Sequence, residues 1–254
     1  SDDPLRLRAE EAGVELVSTP RELCERSDVI IAATPGRTSL QALRSVRPHL
    51  RPDHLYADAT TAAVTDMERG EQLLEGRAGY VDAAIMGSVP LGGLDTVVMV
   101  SGAHAERFRE LLAPYGMKAQ VLPGKAGAAT AMKLIRSVTM KGLAAVLIEG
   151  LEAAQRHGIL DEVADSIAAS MDERPFAQTM KRYVCGTAVH AERRVHEMTE
   201  ALELLRSMGS SSRMTRATRA KLIDIAELGL REHFGGREPD DIRSMIEAVV
   251  AANS

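Results

Sequence analysis

Five consecutive residues, Val29-Ile30-Ile31-Ala32-Ala33, constrain this chain more than any others. They follow Ser27-Asp28 and stop at Thr34-Pro35-Gly36. A run so short and so uniformly apolar marks a strand covered on both faces, and such strands belong to parallel sheets with crossover helices. The neighbouring sequence keeps up the alternation that this architecture requires. A helical stretch from Leu5 to Ala12 closes at Gly13, and Val14-Glu15-Leu16-Val17 is expected as a short strand. Helices are expected over Pro20 to Arg26, Thr38 to Val46, Thr65 to Leu74 and Ala103 to Tyr115. Between them, Leu55 to Asp58, Gly79 to Ala84 and Val97 to Val100 read as strands, the last of them closing the sheet.

Strand patterns vanish after Pro123-Gly124, and amphipathic helical segments take over at roughly 126–157, 160–170, 187–207, 213–234 and 239–252. The first would run about 48 Å at 1.5 Å per residue, more than one small domain needs. The fold class is therefore α/β, a Rossmann-like parallel-sheet domain over 1–123 followed by an all-α domain over 124–254. Ser210-Ser211-Ser212 reads as a loop whose last serine caps the next helix.

An apolar content of 45% with 26% charged residues excludes a disordered or fibrous chain. A formal charge of −5 gives no general attraction to nucleic acid or anionic membrane, so neither is an expected partner. Cys24 and Cys185 are far apart and form no CxxC pair, which favours a reducing cytoplasm. No apolar run approaches the 18 residues of a membrane span and no signal peptide opens the chain. The seven histidines show neither HxxxH nor HExxH spacing, so no metal site is expected.

An α/β chain of this order invites a search for GxGxxG, the turn that lays a dinucleotide pyrophosphate on a helix N-terminus. The motif is absent: Gly92-Gly93 and the Gly124 to Gly127 stretch do not sit between a first strand and its helix. The chain opens on Ser1-Asp2-Asp3-Pro4, already past where a first βαβ unit of roughly 30 residues would lie. Either nucleotide is not bound, or the first unit is missing from the sheet domain. The remaining motifs favour the second reading.

Four segments fall in order at strand ends or at the start of the long helix. They are Thr34-Pro35-Gly36, Asp58-Ala59-Thr60-Thr61, Asp82-Ala83-Ala84-Ile85-Met86-Gly87-Ser88, and Gly124-Lys125-Ala126-Gly127 leading to Lys133. Together they resemble the β-hydroxyacid dehydrogenase superfamily of 3-hydroxyisobutyrate and 6-phosphogluconate dehydrogenases. The chain is more specifically similar to the phosphogluconate-dehydrogenase-like branch with a divergent helical C-terminal domain. The resemblance covers nearly the whole chain.

The resemblance implies roles residue by residue. Thr60 and Thr61 match the family's Asp-x-Ser-Thr hydroxyls that contact substrate near the nicotinamide, and Thr60 keeps a donor and an acceptor. Gly87 and Ser88 lie in the substrate-binding loop, where Met86 and Ser88 replace the family's Ser and Gly. Lys133 stands at the catalytic lysine position, and burial at a domain cleft would lower its pKa toward a useful range. Ser137 occupies the position of the family's asparagine, four residues on. Lys141 shares the helix face of Lys133 and resembles a Thr-Lys-Gly element, but its neighbour Met140 is no acid, which argues against 6-phosphogluconate decarboxylation. Glu149, further along that face, is expected in a helix-surface salt bridge. His190, Arg193, Arg194 and Glu197 form a polar stripe; the corresponding helix of the family meets cofactor and substrate, which makes His190 and Arg194 further substrate-binding candidates. The implied cofactor is NADP in preference to NAD, with Ser1, Thr34, Pro35 and Thr60 as its contacts.

The leading expectation is an NAD(P)-dependent oxidoreductase moving hydride between nicotinamide and a small hydroxy acid or related carbonyl compound. Lys133 is its general acid/base, and the resemblance implies a homodimer through the helical domain. Two alternatives stand beside it. One is an imine reductase, which usually carries a different residue at the position of Lys133. The other is a non-catalytic dimeric scaffold or regulatory protein derived from the family, favoured by the missing first unit and by Ser137.

Overall fold

The computed structural model describes residues 4–253, and the chain divides into two compact units, one up to Val138 and one from Thr139 on. In the first unit α1 (Pro4–Glu11) and α2 (Pro20–Glu25) precede β1 (Val29–Ala32) and α3 (Ser39–Val46). Then come β2 (Leu55–Asp58), α4 (Val64–Leu74), β3 (Gly79–Ile85), the single-turn α5 (Val89–Gly92), β4 (Val98–Ser101), α6 (Ala105–Leu112) and β5 (Ala119–Val121). The sheet runs in chain order, β1-β2-β3-β4-β5.

β1, β2 and β3 are parallel, because α3 and α4 carry the chain back across the sheet between them. β4 is antiparallel to β3, a departure from the all-parallel expectation. The link from β3 to β4 holds only α5 and a 3-10 turn, too little helix for a return crossover. β5, absent from the sequence reading, then pairs in parallel with β4.

Alternation along the strands sorts the core into two layers. Ile30, Ala32, Tyr56 and Tyr80 face Leu43, Val46, Met67 and Leu74 of α3 and α4. Leu55, Ala57, Val81, Ala83 and Val100 face Phe108 of α6 on the other side. The rings of Tyr56 and Tyr80 stack with centroids 6.0 Å apart.

The founding strand departs from expectation in one respect. Ile31 keeps 45% of its surface exposed, so β1 is covered on one face only at that point. Among the described residues β1 pairs with β2 alone. The expected strand at Val14 to Val17 does not form: the segment is irregular, and Val14 and Leu16 are exposed. A strand exists only by pairing, and among the described residues nothing pairs with this segment.

The second unit is helical throughout. Its division from the first falls inside α7 (Ala128–His157), after which come α8 (Leu160–Asp172), α9 (Phe176–Ser207), α10 (Arg213–Glu227), α11 (Leu230–His233) and α12 (Ile242–Ala252). α9 begins eleven residues earlier than expected, with Pro175 as its N-cap. The expected helix over 213–234 breaks after α10, where Gly229 adopts a left-handed φ of 64° that ends one helix and opens the next. Cys185, Ala188, Ala191, Ile225, Leu230 and Met245 make the core of this unit. No helix among the described residues is long and apolar enough to cross a membrane.

Two expectations in this unit are corrected by one residue. Glu149 is no surface ion-pair partner; it is buried, and its carboxylate sits on the N-terminus of α10. It accepts the backbone N–H groups of Met214 and Thr215 at 2.9 and 2.8 Å, the Thr215 hydroxyl at 2.7 Å and the Ser211 hydroxyl at 3.3 Å. Ser212 is the N-cap residue by position but makes no side-chain capping bond. A carboxylate from another helix satisfies those amides and also meets the positive end of the helix dipole.

Burial opposes the charge on Glu149, but the hydrogen bonds from Thr215, Met214 and Ser211 outweigh it and hold the carboxyl below its ordinary range. A carboxyl with a depressed folded pKa stabilises the fold above its unfolded pKa and loses that contribution as pH falls through the folded value. Glu149→Ala is therefore expected to cost about 2–4 kcal/mol at neutral pH. In urea unfolding measured from pH 7 to pH 3, the gap to the unsubstituted protein should stay constant down to about pH 4.5 and then narrow. A gap independent of pH would show that the charge is not what stabilises α10.

Candidate active site

Parallel pairing of β1, β2 and β3 brings the loops after them to one edge of the sheet. That edge, at the carboxyl ends of parallel strands, is where open α/β sheets take ligands. Thr34 and Pro35 lie in the first loop, Ala59 to Thr61 in the second, and Met86 to Ser88 in the third. The first two loops touch. A Cβ on Gly36 would lie 2.5 Å from the carbonyl oxygen of Thr61, so only glycine fits there.

Asp58 fixes the second loop from beneath. Its buried carboxylate accepts the Ser39 hydroxyl at 2.5 Å and the Thr60 amide at 3.0 Å, with the Tyr80 hydroxyl at 3.4 Å. The bond to an amide two residues on is the Asx-turn geometry that lets aspartate shape its own loop. Burial, with Asp58 and Asp82 adding repulsion, pushes the Tyr80 phenol above its ordinary range and keeps it a neutral donor. Thr60 does not cap α4; the N-cap there is Ala63, and the Thr60 hydroxyl is buried with no partner.

Asp82, directly across from Asp58 in the β2–β3 register, performs the equivalent service for α7. Its fully buried carboxylate accepts the Ser101 hydroxyl at 3.0 Å, the Gly127 amide at 2.9 Å, the Thr130 amide at 3.0 Å and the Thr130 hydroxyl at 2.6 Å. Ser101 in turn receives the Ala129 amide at 3.0 Å. The first amides of α7, which no helical carbonyl can satisfy, are thus held by β3 and β4.

One turn beyond that anchor, the half-buried Lys133 donates from Nζ to the Thr61 hydroxyl at 3.0 Å. Two of the four motif segments therefore meet in a direct contact. Gly87 and Ser88 lie at the end of β3. The Ser88 carbonyl accepts the Leu91 and Gly92 amides and starts α5, while its side chain makes no capping bond. Ser137 is half-buried on α7. Lys141, His190 and Arg194 belong to the second unit. There Arg194 bonds the Thr187 hydroxyl and the Tyr183 carbonyl of its own helix, and His190 lies 3.9 Å from Glu238. Arg193 pairs with Glu197 on the same helix. Ser1 lies outside the described residues.

The anchoring carboxylates of Asp58 and Asp82, with Ser39, Ser101 and Thr130, were not singled out in the sequence. A signal for them exists: each aspartate ends or interrupts an otherwise apolar strand run, where an unpartnered carboxylate would be prohibitively costly. Arg136 was also missed, and its guanidinium donates to the Met86 carbonyl at 3.0 Å.

The residues present fit the nicotinamide end of a dinucleotide. Thr34 and Tyr56 line a 330 Å³ cavity at the β1 edge, and the hydroxyls of both Tyr56 and Thr60 are buried without a protein partner. No glycine-rich turn for a pyrophosphate is found among the described residues.

Residues 5–123 match the NAD-binding domain of 6-phosphogluconate dehydrogenase, and residues 154–224 match DUF1932, a domain of unknown function. The chain is 30% identical to MTH1747, a conserved protein of unknown function whose structure reveals similarity with 3-hydroxyacid dehydrogenases. The alignment covers 90% of this chain and 87% of that one, at a TM-score of 0.57. An uncharacterized 28.5 kDa protein encoded in the 7S RNA 5′ region of Methanothermus fervidus is 24% identical over 86% of this chain and 84% of its own length. An imine reductase from Myxococcus stipitatus, a variant solved with NAD+, shares the fold at a TM-score of 0.76 with 18% identity, over 98% of this chain and 89% of that one.

Replacing Asp82 by alanine would strand buried hydroxyls and the first amides of α7 together. A loss of about 3 kcal/mol or more in unfolding free energy is expected. Hydrogen exchange at Gly127, Ala129 and Thr130 should accelerate ahead of exchange in β1 and β2. Unchanged protection at these three amides would refute the anchoring role.

Proposed function

The chain belongs to the family that joins a 6-phosphogluconate-dehydrogenase-type NAD-binding domain to a DUF1932 domain, and on that premise we propose that it is an NAD(P)-dependent oxidoreductase. Its substrate is a small hydroxy acid or related carbonyl compound, and Lys133 is the general acid/base. The observation that carries this reading is the 3.0 Å hydrogen bond from Lys133 Nζ to Thr61 Oγ1 at the carboxyl ends of the parallel strands. It joins a titratable amine to a hydroxyl on the loop beside which a nicotinamide would lie.

Thr34, Pro35 and Thr60 would hold that end of the cofactor. A bound nicotinamide supplies the hydride acceptor or donor. Lys133 takes the hydroxyl proton of the substrate in the oxidative direction and returns it to the carbonyl oxygen in the reductive one. Thr61 aims the amine, since a lysine on a four-carbon stem is otherwise free to leave the reacting oxygen. We assign Gly87, Ser88 and Ser137 of the first unit to substrate, and propose Lys141, His190 and Arg194 of the second as further substrate ligands. In domain terms, 1–123 holds cofactor and 124–254 serves substrate and dimerisation. Ile135, Val138 and Ile148, exposed along α7 at 71%, 75% and 68%, support a homodimer. The unpaired Cys24 and Cys185 favour a cytoplasmic setting.

NADP is the preferred cofactor within this proposal. Imine reduction is the runner-up, supported by the shared fold; the lysine at 133 favours an oxygen substrate over it.

In the full-length protein, Lys133→Ala should lower kcat about 10²- to 10⁴-fold across a panel of hydroxy acids with little change in melting temperature. Activity surviving unchanged would remove the mechanism. Calorimetric titration of the full-length protein with both nucleotides should give tighter binding of NADP. Tighter binding of NAD would reverse the assignment.

A further inference from the structure

Beside the candidate site lies a cavity of 570 Å³ with an unusual distribution of charge. It is bounded by the end of β3, the turn through α5, the start of β4, and the first turns of α7. Its walls are mainly apolar, with Met86, Leu91, Met99 and Met132 prominent, and Arg136 is its one charged lining residue.

Arg136 differs from many arginines of the chain. Arg21, Arg26, Arg109, Arg156 and Arg193 each lie against a carboxylate. Among the described residues Arg136 forms no ion pair, and its hydrogen bond is the one to the Met86 carbonyl at 3.0 Å. That bond fixes the guanidinium plane at the mouth of the cavity through one nitrogen and leaves further N–H groups of the fork. A planar fork with donors to spare, beside apolar walls and with no acid in the lining, is complementary to a carboxylate carried on a hydrocarbon body.

Its place on α7 adds the second constraint. Arg136 is three residues from Lys133, so their Cβ atoms are about 5–6 Å apart on neighbouring ridges of the helix. Lys133 donates to the loop after β2 and Arg136 to the end of β3, so the two cations of α7 serve neighbouring loops of one sheet edge.

We propose that Arg136 is a specificity-determining residue that binds the substrate carboxylate, and that the Met86, Leu91, Met99 and Met132 walls take an aliphatic body. The reading deepens the proposed function and rests on it for the reaction, though not for the binding. The ligand class that this cavity adds to the reading is a small carboxylic acid with an aliphatic body. The methionines accept more than one shape of side chain, because their thioethers are unbranched and adapt to irregular fillings. The guanidinium insists on the acid.

Two measurements on the full-length protein test this. First, isobutyrate and its neutral counterpart isobutyramide are titrated against the unsubstituted protein, Arg136→Gln and Arg109→Gln, a surface arginine of α6 paired with Glu106, without cofactor. Isobutyrate should bind the unsubstituted protein and Arg109→Gln alike, and about 10- to 100-fold more weakly to Arg136→Gln; isobutyramide should not distinguish the three. Second, KM is compared for 3-hydroxybutanoate and its amide. Arg136→Gln should raise KM for the acid by a similar factor with kcat within a few-fold, and Arg136→Lys should restore part of the loss. Isobutyrate binding that is indifferent to position 136 overturns the proposal even if turnover is found. Binding that depends on Arg136 in a protein that turns over no hydroxy acid sustains the carboxylate site and overturns the oxidoreductase reading instead.

Discussion

The start of α7, and with it the placing of Lys133, depends on one buried carboxylate, that of Asp82. It stands in the middle strand of the sheet, where a lone charge would cost many kcal/mol, and it is tolerated because α7 brings two amides and a hydroxyl to it and β4 brings another hydroxyl. The arrangement works in both directions. The strand needs the helix to neutralise its aspartate, and the helix needs the aspartate to end its unpaired amides. Neither element can shift along the other without exposing polar groups to an apolar layer. Lys133, one turn on, inherits its origin from this lock rather than from packing.

The second unit solves a like problem by the same chemistry. Glu149 closes the N-terminus of α10 from α7, so that a carboxylate does the work usually left to a local serine. Both anchors are bonds from an acid on one element to the amides of a helix start. Aliphatic surfaces slide over one another at little cost; a carboxylate set on helix amides does not. In a chain with three phenylalanines and no tryptophan, register is supplied by such polar locks more than by large interlocking rings.

The elements of the sequence were largely legible because they announce themselves through period and punctuation. Val29 to Ala32, Leu55 to Asp58 and the disappearance of strand pattern after Pro123-Gly124 are of this kind. What escaped notice depends on contacts between distant residues. β5 is three residues long and is a strand only because β4 lies beside it; Val14 to Val17 has the better strand pattern and pairs with no strand among the described residues. Glu149 looks like one more acid on a helix face, and nothing within its own helix reveals that the start of α10 lies opposite. Ser212 has the right type and place for a cap and is outcompeted. Arg136 lies among Leu134, Ile135 and Ser137 without any motif, and only the folded cavity shows that it faces apolar walls without an acid.

The close approach of the first two loops bears on which substitutions the site can absorb. Gly36 lies so near the Thr61 carbonyl that any side chain at 36 must push the Thr60–Thr61 loop aside. The hydroxyl partner of Lys133 is on that loop. A change at a residue almost a hundred positions from the lysine would thus reach it through backbone alone, without touching the amine or the hydroxyl that receives it.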